Sequence, residues 1–199
     1  MNKNELFDYV RTFYDQDAVT LTDETLSTLT YAVEGTLNRR LLQHPRMRVR
    51  LAWQVAAGKD RIPLPDDLVD LVDVKLGQTK LRQYPLGLEE QAAKVGSSFI
   101  NLGNCLQVFP APAETTTYLI DAVQKLQPLT TSLSGDNWVS RSHADVYQAG
   151  MLSQVGGFLR DSAAQAAWDG KFQQLIEELH LQGWNESYES ASIPRASAA

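Results

Sequence analysis

The chain has 199 residues, 43% of them hydrophobic, and a net charge of −6. That composition is globular and excludes wholesale disorder, and the acidic balance disfavours nucleic-acid binding by the surface as a whole. Cys105 is the sole cysteine, which excludes an internal disulfide and a cysteine-rich zinc site and is consistent with a reducing compartment.

Acids begin at Glu5 and no apolar run opens the chain, so a signal peptide is not expected. No stretch reaches the roughly 20 apolar residues of a membrane helix. The expectation is a soluble protein made in the cytoplasm, with no membrane partner.

Leu6, Tyr9, Val10 and Phe13 recur at helical spacing and predict a helix over 5–14. A second is predicted over 23–43: Thr22 caps it, Asp23 and Glu24 fill its first turn, and Leu21 staples onto Leu26. Pro45 ends it. The period then falls to two. Met47, Val49, Leu51, Trp53 and Val55 alternate with Arg46, Arg48 and Arg50, the mark of a half-buried strand. "RIPLP" reads as an edge strand because of its prolines. Asp66 is expected to cap a short helical turn through Leu71, with "VDVKL" a strand after it. Residues 86–95 read as weakly helical. "SSFINLGNCLQVF" is a hairpin about Gly103-Asn104, and "TTTYLIDAV" is a further strand. All strands fall within 46–123.

Helices are then predicted over 144–160 and 164–181, antiparallel to each other. Gly156-Gly157 inside the first implies close approach of another backbone. The reading is α+β: N-terminal helices, a small central antiparallel sheet with hairpins, a C-terminal helical hairpin and an extended tail. One domain covers 1–183 and the tail 184–199.

"SGDNWVSRSHADVYQ" (134–148) brings Ser142, His143 and Asp145 together. A nucleophilic triad converges from distant segments, and adjacent helical residues diverge by about 100°. Caps at Asp136 or Asn137, and at Ser142, explain the stretch better than a hydrolase built on His143. His44, His143 and His180 lie in no metal-ligand spacing. No catalytic, cofactor or metal residue is assigned.

Arg39, Arg40, Arg46, Arg48 and Arg50 concentrate positive charge. They are candidates for phosphate or acidic-partner contacts, the alternative being a charged face that protects an edge strand. Trp184, Tyr188, Ile193, Pro194 and Arg195 lie in the tail and suit a docking segment.

The order of "LNRRL", "IPLPDDLVDLVDV", "FINLGNCLQVFPAP", "PLTTSLSGDNWVSRSHADVYQAGML" and "FLRDSAAQAAWDGKFQQLIEEL" resembles the head-to-tail connector (adaptor) proteins of short-tailed bacteriophages, over roughly residues 21 to 185. The resemblance implies a non-enzymatic virion protein of the neck, assembled in the host cytoplasm. It implies a closed homo-oligomeric ring of about twelve copies, which joins the portal protein to tail nozzle or tail fibre proteins. DNA would pass through its lumen without sequence-specific binding. It also implies that the C-terminal segment reaches the portal. Two other readings stay open: a neck or head-completion protein of different stoichiometry, and a nucleic-acid-binding module using the Arg39–Arg50 stripe.

Overall fold

Helix α1 (Lys3–Tyr14) starts at a capping box. The Asn2 side chain accepts from the Glu5 N–H, and the Glu5 carboxylate accepts from the Asn2 N–H. Its buried face is Leu6, Phe7 and Val10. Tyr9 and Phe13, expected on the inner stripe, are exposed, because Phe7 turns the buried face away from them. Helix α2 (Asp23–Leu41) starts at Thr22, whose hydroxyl accepts from the Thr25 N–H. Leu21 and Leu26 are both fully buried, as a hydrophobic staple requires.

The computed structural model describes residues 1–15, 20–132 and 135–192, with side chains through Asn185. The chain forms two compact units where the sequence reading has one domain. The first comprises 1–45 and 126–199, the second 46–125.

The first unit is helical. To α1 and α2 it adds α4 (Trp138–Ser142), α5 (Ala144–Phe158) and α6 (Ser162–Ser192). Helices α1, α2, α4 and α6 all pack on α5. Buried residues occur on every side of α5, from Val146 to Gly156, the pattern of a core helix. Gly150 and Gly156 permit this crowding. A Cβ at Gly150 would lie 2.8 Å from Val33 Cγ1, and one at Gly156 would lie 2.9 Å from the Gln165 backbone nitrogen. The close backbone approach expected at Gly156 is therefore made by the first turn of α6.

Helix α6 buries Phe172, Leu175, Ile176 and Leu179. It does not stop at 181. Residues 184–192, expected to be extended, continue the helix, since no proline interrupts the sequence before Pro194. Ile193, Pro194 and Arg195 lie outside the described residues.

The second unit holds two four-stranded sheets and one helix. The first sheet has the order β1 (Arg48–Val55), β8 (Thr116–Gln124), β3 (Leu68–Leu76), β4 (Thr79–Lys80), all antiparallel. The second has β2 (Arg61–Pro63), β7 (Cys105–Phe109), β6 (Ser98–Asn101), β5 (Arg82–Tyr84). Its β5–β6 pair is parallel, against the expectation of a purely antiparallel sheet. The cause is the connection through α3 (Glu89–Val95): a crossover of this length returns the chain in the same direction. One apolar cluster, including Val55, Ile62, Val74, Phe99, Leu106 and Ile120, draws on strands of both sheets.

The alternation in β1 is as predicted, with Arg48, Arg50, Ala52 and Gln54 exposed. Strand β2 is an edge strand, and β6–β7 is the hairpin, turning at Gly103 with φ +91°. The short helix expected from Asp66 to Leu71 is absent. Pro65 instead accepts from the Leu68 N–H in a turn, and β3 starts at once. Its register on β8 slips twice, leaving Val69 and Val72 as exposed bulge residues.

The glycine geometry predicts opposite effects at two sites. Gly156→Ala places a methyl against α6 backbone and should cost about 1–3 kcal/mol. Gly170, inside α6, has open space around the position of a Cβ, and Gly170→Ala should gain about 0.5–1 kcal/mol. Urea unfolding followed by circular dichroism measures both.

Candidate functional site

The stretch 135–148 is a structural junction. Asn137 caps α4: its Oδ1 accepts from the Ser140 N–H at 3.0 Å, and Ser140 Oγ accepts from the Asn137 N–H at 3.0 Å. The Asn137 amide also donates to the Gln127 carbonyl at 2.9 Å and to Tyr147 Oη at 2.8 Å. Tyr147 in turn donates to Glu34 Oε1 at 3.5 Å, and the same oxygen accepts the Leu129 N–H at 2.6 Å. One turn along α2, Asn38 Oδ1 accepts the Leu126 N–H at 2.8 Å. Side chains of α2 and of the α4 cap thus hold the backbone of 126, 127 and 129, where the chain returns to the helical unit, and Tyr147 of α5 ties Glu34 to Asn137.

Glu34, Asn137 and Tyr147 are buried. Burial raises the Glu34 pKa, opposed by its hydrogen bonds from Leu129 and Tyr147. Its second oxygen, Oε2, has no hydrogen-bond partner among the described residues. Burial, followed by the neighbouring Glu34 charge, pushes the Tyr147 hydroxyl far above its ordinary value. Tyr147 therefore stays a neutral donor at any ordinary pH.

The predicted cap at Ser142 is not made. The cap residue of α5 is His143, which makes no side-chain capping bond. Its ring meets Trp138 edge-on at 6.4 Å. Trp138 stacks on the buried His44 ring at 4.9 Å, and His44 Nε2 donates to the Leu179 carbonyl of α6 at 3.2 Å. Gly183 lies against the same ring so closely that a Cβ would overlap it. Asn137 thus bonds Tyr147 of α5, and Trp138 is linked to the α6 backbone through His44. Among the described residues, no three His, Cys, Asp or Glu side chains are grouped to hold a metal ion.

The five arginines do not act alike. Arg39 donates to Thr36 on its own helix, and Arg40 donates to Gln173 of α6 at 2.8 Å. Arg46 precedes β1 in the second unit. Arg50 grips Asp121 with two bonds, at 2.6 and 3.1 Å. Asp121 also meets Lys75 at 3.2 Å, while Asp73 meets Lys75 at 3.4 Å and Lys80 at 3.3 Å. These five residues cross all four strands of the first sheet in order. The hydrogen bond from Arg50 leads in holding the Asp121 carboxyl below its usual range, and the same bond raises Arg50. Arg48 is exposed and has no ion pair among the described residues. The outward positions of β1 were legible in the sequence. The acids that occupy Arg50 and Lys75 were not, because they come from strands far along the chain.

Beside Arg48 and Arg50 lies an open depression of about 280 Å³, also lined by Val49, Val72, Asp121 and Ala122. On α6, Leu181 and Trp184 are exposed, by 65% and 51%. Tyr188 falls on the same helix.

The family model described as SU10 adaptor protein matches residues 1–195, and the chain belongs to that family of phage adaptor proteins. No curated protein matches the chain. Among the described residues, no helix is long and apolar enough to cross a membrane.

The buried junction makes two predictions. Asn137→Ala strips a cap and leaves buried groups unpartnered, so it should cost about 2–4 kcal/mol in thermal or urea unfolding. Glu34 has a raised folded pKa, so its contribution to stability is full below the unfolded value of 4.5 and is lost as pH rises through the folded value. The wild type should therefore gain stability relative to Glu34→Gln as the pH falls from 7 towards 4.5. Melting curves of both proteins across that range check the sign.

Proposed function

We propose that this adaptor is a structural virion protein of the neck, present as a ring that joins the portal to the tail and continues the DNA channel. The carrying observation is the family match over nearly the whole chain, residues 1–195. A ring of about twelve copies fits the symmetry rules of closed homo-oligomers. The portal lies on one side, tail nozzle or tail fibre proteins on the other, and DNA passes through without sequence-specific contact. No catalytic step is assigned to any residue.

Portal docking falls to the C-terminal segment: Trp184, Tyr188, Ile193, Pro194 and Arg195. The helical course of α6 supports a change in how that docking is pictured. Leu181, Trp184 and Tyr188 follow one another at spacings of three and four in a helix, the pattern of an amphipathic helix entering a groove. Glu177, Glu178, Glu186 and Glu189 accompany them, so the matching groove is apolar with a basic rim.

Co-sedimentation with isolated portal rings tests this reading. A chain ending at Gly183 keeps the contact with His44 and keeps Leu181, and it loses Trp184, Tyr188, Ile193, Pro194 and Arg195. It should bind at least about tenfold more weakly than the full chain. Equal binding by the two would contradict portal docking through this segment.

A further inference from the structure

The acidic charge of the chain is not shared between its two units. Residues 1–45 and 126–199 carry 15 acidic and 8 basic side chains, net −7, whereas residues 46–125 carry 9 and 10, net +1. Each unit also exposes apolar side chains that its own core does not use.

On the helical unit one group of these is aromatic. Tyr9 and Phe13 of α1 lie 6.5 Å apart by ring centroid, and Phe13 meets Trp168 of α6 edge-on at 5.4 Å. Phe13 is 48% exposed and Tyr9 36%. Acids stand on the same helix: Glu5 is 62% exposed and lies 3.9 Å from the N-terminal amine, and Asp8 is 79% exposed and lies 3.8 Å from Arg11. On the β unit Val72 lines the depression beside Arg48 and Arg50. The bulge in β3 turns Val72 outward, and the Arg48 guanidinium, without an ion pair among the described residues, stands at the rim.

We propose that the aromatic patch of one copy docks on the arginine–valine depression of a second copy of this chain. The proposal rests on the ring reading above and names the surfaces that meet. Aromatic rings and guanidinium groups are the side chains most enriched at protein interfaces, and an Arg plane stacks on a ring face. Charge complementarity favours this partner: a unit of net −7 meets one of net +1 at an exposed arginine, Arg48. The two surfaces differ, so the contact is heterologous. Each copy bound leaves one surface of each kind unfilled, and the contact repeats from copy to copy until a ring closes.

Native mass spectrometry of the full chain at rising concentration tests the contact. The wild type should populate dimers and larger species. Phe13→Lys and Arg48→Asp should each weaken association at least about tenfold. An equimolar mixture of the two variants should recover a dimer and stop there, because one variant keeps an intact depression and the other an intact aromatic patch. Tyr9→Lys replaces Phe13→Lys if circular dichroism shows the latter misfolded. A wild type that is monomeric throughout, variants that assemble as the wild type does, or a mixture without a dimer would each overturn the contact. The adaptor reading is tested separately by portal binding: it survives if the wild type still binds portal rings and fails if that binding is absent.

Discussion

A buried carboxylate governs the helical unit. Glu34 sits inside the protein and accepts the backbone N–H of Leu129, a residue 95 positions away. The chain leaves this unit after Pro45 and comes back at Leu126. A return of that kind must satisfy its backbone groups inside a helical core, where no strand or helix partner supplies them. Glu34 and Asn38 of α2 meet that need from one side, and Asn137 meets it from the other through the Gln127 carbonyl. Tyr147 joins the two sides and places α5 between them. The arrangement fixes where α4 and α5 begin, and hence the surface against which α6 packs.

The network explains why the first half of α5 and the approach to it carry so many polar residues close together. Ser142, His143 and Asp145 look like the ingredients of a catalytic site when read along the chain, just after Asn137 and Ser140. In space Ser140 and Asn137 spend their hydrogen bonds on each other, on backbone and on Tyr147, and His143 packs on Trp138. These contacts cap α4 and hold the backbone before it. That agrees with an adaptor, whose residues are selected for fit to neighbours.

Much of the fold is legible in the sequence, because local rules decide it. Thr22 and Asn137 are good caps wherever they stand, and β1 alternates because one of its faces is buried. Gly156 signals a close approach, and the approach is there. What escaped depends on residues distant in sequence. A glutamate in the middle of an amphipathic helix reads as solvated; Glu34 is buried only because Leu129 and Tyr147 come to it. Arg50 reads as free charge until Asp121 arrives from β8. The parallel β5–β6 pair follows from α3 acting as a crossover, which a seven-residue helix hardly announces. The persistence of α6 to Ser192 was hidden by Gly183, a residue that usually weakens a helix and here makes room for His44.

The two units differ in surface charge and in what they expose. The helical unit is acidic and ends in a long helix with exposed Leu181 and Trp184; the β unit is close to neutral and carries a cross-strand ladder of charges. An electron cryomicroscopy reconstruction of the particle neck, without imposed symmetry, would show whether copies of the chain close into a ring there. The account predicts a closed ring of identical copies of this chain between portal and tail. A neck that lacks the chain, or holds it as isolated copies that do not touch, would contradict it.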